Sequence, residues 1–338
     1  MMSHSADTHN AERVSLVTQS LSRLAWSMIL AMALAVWISF AALGLRVDFA
    51  SNWPLVAVML IYAVALLFYL HVRRDRRIAD MLVVVAQLFL TLLLGLLLTY
   101  AASAVALPYR DAELSAIDLW LGCHRAAYVN AINSTPGLNG VLDAAYMSIQ
   151  PQTALVPLAL LLAGQLPRLQ SFVLALGISL TATVLIAVFI PAVDAAIYID
   201  LAPRGAAALS PGTYSHVYTL EALRSGAMSV VRLDDLEGLI TFPSFHTTNA
   251  ILFAWTLWPV RYLRLPILVL NGLMVASTPT AGSHYFIDIV GGMAVAFLAI
   301  VAANGCRRAC AASPTMHSKS GRPTISTNQY SSSIEPIR

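Results

Sequence analysis

The chain has 338 residues, of which 58% are hydrophobic and only 11% are charged, whereas an average soluble domain has about a quarter charged residues. This composition excludes an ordinary water-soluble globule and indicates an integral membrane protein. The formal net charge is only +3, and the arginines stand in short clusters. The composition therefore does not favour a nucleic-acid partner.

Eight apolar segments recur along the chain, each near the ~20 residues that cross a ~30 Å hydrocarbon core as a helix. They fall at 24–45, 54–72, 81–106, 141–164, 170–192, 246–260, 265–281 and 284–305. The fourth contains Gln150, Pro151 and Gln152, whose polar groups need partners from neighbouring helices or water. The pattern predicts an all-α fold, a polytopic transmembrane helical bundle.

The segments divide the chain into four parts. Residues 1–22 are predicted to be a polar cytoplasmic N-terminus without the pattern of a cleaved signal peptide. Two transmembrane helices follow in 23–80, and a core of six helices in 81–305. The stretch 306–338, rich in Ser, Thr, Pro and Asn beyond about residue 311, is predicted to be a disordered cytoplasmic tail.

The arginine clusters predict the orientation, because cytoplasmic loops retain an excess of positive residues. They place both termini in the cytoplasm and two long loops, about 107–140 and 193–240, outside. Since no eukaryotic targeting signal is visible, this topology suits a bacterial inner membrane. In the first loop, Asp118 to Leu121 with His124 indicate either an interfacial amphipathic helix or a lid on the helix ends.

The first cluster of residues suited to catalysis or binding is the stretch from Pro243 to Thr247, at the start of the sixth segment. Ser244 is a typical N-cap residue, and the free N–H groups of a helix start form an anion site. The cluster thus predicts a phosphate site beside His246. An ordinary helix cap with His246 packed at the membrane surface is the alternative.

The second cluster is the stretch from Gly282 to Asp288, which opens the last segment. His284 and Asp288 are four residues apart, so on a helix the carboxylate can accept a hydrogen bond from one imidazole nitrogen. The other nitrogen then remains as nucleophile or base. A structural His–Asp bond is the alternative, although ionisable residues at a membrane-embedded helix end favour a functional site.

Phosphoryl transfer also needs fixed positive charge against the phosphate oxygens. The second external loop has Arg224 shortly before the first cluster, and the nearby Gly226 permits close backbone approach. Arg204 and Arg232 lie in the same loop. We predict Arg224 as the phosphate ligand, while simple solvated loop charge stays open for all three.

With these residues the chain resembles the type 2 phosphatidic acid phosphatase superfamily over roughly residues 81–305. The motif Pro-Ser-x-His of that family stands at 243–246. The motif Ser-Arg-x5-His-x3-Asp aligns with 277–288, with Thr278 in place of arginine. The usual lysine motif is missing, since the chain has one lysine, Lys319, in the tail. Within the family, the chain resembles the inositol phosphorylceramide synthase-like branch. That branch typically has Pro-Ser-Phe-His and His-Tyr-x-x-Asp, present here at 243–246 and 284–288, and lacks the lysine motif.

The resemblance implies a six-helix catalytic core that transfers phosphoryl groups through a phosphohistidine, with neither metal nor cofactor. His284 is then expected to attack phosphorus, Asp288 to orient it, and His246 to protonate the leaving oxygen. Ser244, Arg224 and the backbone around Gly282 are expected to hold the phosphate oxygens. The expected partners are a lipid phosphate substrate and membrane lipids, with either water or a hydroxyl group as acceptor.

A different class of function also fits the histidines and the carboxylate. A non-catalytic membrane carrier or lipid-binding protein can use an intramembrane His/Asp cluster as a proton relay or a transition-metal site. Two histidines and one carboxylate do not make a closed four-ligand metal site. Inverted repeats, which many carriers have, are not visible in the sequence.

Overall fold

A computed structural model describes residues 2–50, 52–201 and 215–312, and this part of the chain is almost entirely helical. The principal elements are α1 Met2–Leu43, β1 Arg46–Asp48, α2 Trp53–Leu67, α3 Arg76–Ala104, α4 Asp111–Trp120, α5 Arg125–Asn133, α6 Leu138–Met147, α7 Ile149–Leu162, α8 Leu166–Phe189, α9 Ser215–Arg224, β2 Val230–Arg232, α10 Phe245–Leu257, α11 Arg264–Ala281 and α12 Phe286–Ala312. The short turns are π-helical at Phe68–Val72 and Ile197–Leu201 and 3₁₀-helical at Leu233–Asp235 and Arg261–Leu263. The predicted all-α helical bundle is confirmed.

Among the described residues, six helices are long and apolar enough to cross a membrane. They cover Val14–Leu43, Trp53–Val72, Ile78–Ala104, Leu166–Phe189, Arg261–Ala281 and Phe286–Ala312. The bent pair α6 and α7 is a seventh if counted as one span. The sixth predicted segment, 246–260, forms only the 13-residue α10, about 20 Å long and so shorter than a hydrocarbon core of ~30 Å.

The bundle is built around α8, which is buried along most of its length. Phe172 and Leu176 of this helix are each 1% exposed, and they pack in one cluster with Leu21 of α1 and Val84 of α3. Because α8 is apolar all round, burial on every side is the arrangement its sequence favours. The remaining helices surround it.

The first helix, α1, begins earlier than predicted. The predicted polar N-terminus 1–22 is helical from Met2, and the apolar span begins at Val14. Thr18 is 9% exposed and Leu21 is fully buried. The cause is the helical spacing of Val17, Leu21 and Ala25, which continues the packed face of α1 before residue 23. In contrast, α2 has no buried residue.

The C-terminal boundary also differs from the prediction. The last helix continues through 306–312, seven residues into the predicted disordered tail, and ends at Ala312. Ala, Arg and Cys in this stretch are compatible with a helix. Residues 313–338, the remainder of the predicted tail, lie outside the described residues.

The fourth predicted segment is broken near its polar residues. The axes of α6 and α7 meet at 52° next to Ser148. Gln152 is 5% exposed; its side-chain amide donates to Ser148 Oγ at 2.9 Å, and its Oε1 accepts from Asn271 Nδ2 of α11 at 2.9 Å. As predicted, a neighbouring helix satisfies this buried amide.

Candidate active site

The two histidine motifs meet where α10 and α12 begin side by side. The Ser244 N–H donates to the Asp288 carbonyl oxygen at 3.0 Å, and Thr248 Oγ1 donates to the Gly292 carbonyl oxygen at 3.0 Å. Any Cβ at Gly292 would clash with the Ser244 carbonyl oxygen. The glycine therefore permits the close approach that brings the two motifs together.

His284 and Asp288 form the side-chain pair that the sequence predicts. His284 Nδ1 lies 3.0 Å from Asp288 Oδ2, and the same oxygen accepts from the Tyr285 N–H at 3.0 Å. The side chains are 5% and 0% exposed. With Nδ1 held by the carboxylate, Nε2 is the ring nitrogen that remains for chemistry.

The backbone of the loop between α11 and α12 fixes the position of His284. The N–H groups of Gly282 and His284 both donate to the Thr278 carbonyl oxygen at 3.1 Å. Between them, Ser283 has φ of +52°, a left-handed conformation that is uncommon for a residue with a Cβ. Thr278, which stands where the family has arginine, thus contributes its carbonyl group and is fully buried.

His246, in the first turn of α10, stacks on Tyr146 of α6. The ring centroids are 3.8 Å apart and the planes are inclined by 14°. Gly282 lies against the same tyrosine: a Cβ there would come within 2.7 Å of Tyr146 Cε2 and 2.8 Å of His284 Cδ2. Tyr146 therefore orients the His246 ring, and Gly282 leaves the space that lets Tyr146 lie beside His284.

Both histidines line a cavity of about 420 Å³. One wall is apolar and comes mainly from α3 and α8: Leu92, Leu96, Leu180 and Val184. The opposite end is polar: Tyr146, Asp194, His216, His246, Ser283 and His284. On α3 the lining residues run from Leu92 to Thr99, about 10 Å along the helix, so the cavity extends between the helices.

Two acidic residues of α4 support the His284 loop from outside. The carboxylate of Asp118 accepts from the N–H groups of Phe286 and Ile287 at 2.8 Å each, and thus satisfies two donors at the start of α12. Asp111 Oδ1 accepts from the Tyr285 hydroxyl group at 2.9 Å. Burial raises the pKa of both carboxyl groups, against the opposing effect of these hydrogen bonds. Sequence patterns do not predict these pairings, because α4 and α12 are more than 160 residues apart.

Two predicted phosphate ligands have other contacts. Ser244 is fully buried and caps α10 as predicted, with Oγ accepting from the Thr247 N–H at 3.3 Å; it is not among the residues that line the cavity. Arg224 donates to the Leu107 carbonyl oxygen at 2.7 Å and lies 3.8 Å from the ring centroid of Tyr109. The structure does not bring Arg224 to the histidines.

The other two arginines that the sequence suggested do not join the site either. Arg232 pairs with Asp234 at 2.8 Å and is not among the residues that line the cavity. Arg204 lies outside the described residues. In contrast, Gly282, the third predicted phosphate-binding residue, does line the cavity beside His284. Within residues 2–50, 52–201 and 215–312, no group of three or more His, Cys, Asp or Glu side chains is placed to hold a metal ion.

The fold and the site define a polytopic membrane protein in which two histidines line a cavity between helices and one of them is paired with a buried carboxylate. The family model of the PAP2 superfamily matches residues 112–302, which is more than half of the chain. The chain belongs to the PAP2 superfamily, as its motifs predicted, and this membership indicates a phosphatase-type activity on lipid phosphates. Searches of curated proteins and of solved structures find no match.

Proposed function

We propose that this protein is a lipid phosphatase or phosphotransferase that works through a phosphohistidine at His284 and needs no metal ion. The observation that supports this most is the bond from His284 Nδ1 to the buried Asp288 carboxylate, with His246 lining the same cavity. A carboxylate that holds one imidazole nitrogen leaves the other as a directed nucleophile.

In the first step, His284 Nε2 attacks phosphorus while the bond from phosphorus to the lipid oxygen breaks. His246 gives a proton to that oxygen, which leaves as a hydroxyl group. The Asp288 carboxylate stabilises the positive charge that develops on His284. In the second step, the oxygen of water or of an alcohol displaces the histidine and gives up its proton.

The backbone at Gly282 and Ser283 is the proposed neighbour of the phosphate oxygens, since both residues line the cavity beside His284. Ser244 is proposed to act indirectly: as the N-cap of α10, it positions His246 in the first turn of that helix. Arg224 is not assigned to the phosphate site, because its guanidinium group contacts the Leu107 carbonyl oxygen and the Tyr109 ring.

The shape of the cavity favours an amphiphilic substrate. Besides the histidines, leucines of α3 and α8 line the cavity, and on α3 this wall runs from Leu92 to Thr99, about 10 Å along the helix. A lipid phosphate can place its head group at the histidines and its chains along this wall. A free sugar phosphate has nothing to bury there.

Membership of the branch that resembles inositol phosphorylceramide synthase is also a proposal, based on Phe245 and Tyr285 within the two motifs. The proposed location is a bacterial inner membrane, with both termini in the cytoplasm and the site on the periplasmic side, as the arginine clusters indicate. The six-helix core at 81–305 is the proposed catalytic unit. The carrier alternative gains no support from the described residues, which offer no metal-binding group.

The decisive experiment measures phosphate release from a panel of lipid phosphates by detergent-purified protein in excess chelator. Wild type is compared with His284→Ala and with His71→Ala, a control in the exposed π-helical turn. We expect chelator-resistant release that is lost in His284→Ala and kept in His71→Ala. Release that survives His284→Ala, or that chelator abolishes, would overturn the mechanism.

A further inference from the structure

A second histidine–carboxylate pair lies in the wall of the same cavity. His216 Nε2, in the first turn of α9, lies 3.3 Å from Asp194 Oδ2, and both residues line the cavity with His246 and His284. The Asp194 side chain is 5% exposed and the His216 side chain is 32% exposed. The pair thus has a buried acid and an imidazole that solvent can reach.

Asp194 is held firmly enough to orient an imidazole. Its Oδ1 accepts from the Ala196 N–H at 2.6 Å and from the Ile197 N–H at 3.1 Å, so the carboxylate caps the short helical turn that follows. Oδ2 is the oxygen directed to His216. A carboxylate bound to one imidazole nitrogen fixes the orientation of the ring.

The segment that contains Asp194 is tied directly to the His284 loop. The Ala195 N–H donates to the Ser283 carbonyl oxygen at 3.0 Å. Asp111 accepts from the Val193 N–H at 3.0 Å and from the Tyr285 hydroxyl group at 2.9 Å. The second pair and the nucleophile therefore belong to one hydrogen-bonded frame, which suits two groups that act on the same phosphorus.

We infer that the Asp194–His216 pair is the acceptor site, which binds the hydroxyl group that attacks the phosphohistidine and takes its proton. The inference rests on the proposed function. In that step the bond from the acceptor oxygen to phosphorus forms, and the bond from phosphorus to His284 Nε2 breaks. The acceptor proton goes to the His216 imidazole and from there to solvent, while His246 recovers a proton from solvent.

This assignment gives the two steps separate proton carriers. His246 is packed against Tyr146 and serves the lipid oxygen that leaves. The more exposed His216 serves the acceptor that enters. The acceptor is a small hydroxyl compound, either water or an alcohol, and both would bind His216 through the same hydrogen bond.

The test separates the two steps with the lipid phosphate that wild type hydrolyses fastest, radiolabelled in its phosphate group. Protein is quenched in alkali, where phosphohistidine is stable, and the label on the protein is counted. We expect His216→Ala and His216→Gln to lower steady-state turnover about a hundredfold, the scale of a general base. The labelled phosphoenzyme should accumulate, with a burst of one lipid product per site, whereas His71→Ala should behave as wild type.

Added glycerol distinguishes the two acceptors. If water is the acceptor, phosphate remains the product of wild type at all glycerol concentrations; if an alcohol is preferred, phosphoglycerol replaces it, and in either case the His216 variants slow that product. Unchanged turnover in both variants, or equal loss of label and turnover, would overturn the assignment. If wild type takes up no label from any lipid, the proposed function itself fails, whereas label lost only in His284→Ala leaves that function intact.

Discussion

The hydroxyl group of Tyr285 donates a 2.9 Å hydrogen bond to Asp111, a residue that precedes it by 174 positions. Tyr285 directly follows His284 and is fully buried. Asp111 also accepts from the N–H groups of Val193 and Asp194. The bond therefore joins α4, the segment that follows α8 and the loop between α11 and α12 at one carboxylate.

Tyr285→Phe should weaken this junction while leaving the aromatic ring in place. A hydrogen bond to a charged group contributes about 1.5–3 kcal/mol, so we expect a lower Tm in detergent together with reduced phosphate release. Tyr262→Phe is the matched control, since Tyr262 is 89% exposed. An unaltered Tm and full activity in Tyr285→Phe would show that the junction does not hold the loop.

Gly282→Ala should reduce activity because the added methyl group has no space. It would lie 2.7 Å from the Tyr146 ring and 2.8 Å from the His284 ring, so one of the two rings must move. We expect a loss of turnover of about tenfold or more, since a displacement near 1 Å in a catalytic group has large effects. Gly272→Ala in α11, whose Cβ meets no atom within 4 Å, should retain wild-type turnover.

Asp118 should make the stability of the protein depend on pH. Burial raises the pKa of its carboxyl group above the ordinary value, so its contribution to stability is present at low pH and is lost as pH rises through the folded-state pKa. Asp118→Asn removes this titration and keeps an acceptor oxygen. We expect the Tm of wild type, relative to that of Asp118→Asn, to fall as pH rises from about 4 to 7. A difference that is constant across this range would contradict the prediction.

Arg224→Ala tests the phosphate ligand that the sequence suggested. Since Arg224 contacts Leu107 and Tyr109 and does not line the cavity, we expect turnover within about threefold of wild type, as for surface substitutions. His246→Ala, measured in the same assay, should lose about a hundredfold or more. A comparable loss in Arg224→Ala would return this arginine to the active site.

Much of the fold follows from local sequence patterns. Apolar runs predicted every long helix of the described chain, because the length of a membrane helix is set by the thickness of the bilayer. The spacing of His284 and Asp288 predicted their bond, since residues four apart share a helix face. The Pro-Ser-Phe-His stretch predicted the cap at Ser244 and, with the second motif, the superfamily.

The rest of the site depends on contacts between distant parts of the chain. Asp194, His216 and Tyr146 reach the cavity from separate segments, and single polar residues have no periodicity that would reveal such a meeting. Arg224 is a different case: it was suggested by its proximity in sequence to the first motif, but its side chain contacts Leu107 and Tyr109 and does not line the cavity of the histidines. Tertiary packing decided both cases.

The short parallel pairing of β1 with β2 has a consequence for biogenesis. Arg46, just after the first helix, pairs in register with Val230, so this contact cannot form until the ribosome has made most of the chain. The stretch just after α1 must therefore remain accessible until that later segment has been made. The histidine segments are synthesised later still, which places completion of the site among the last events of insertion.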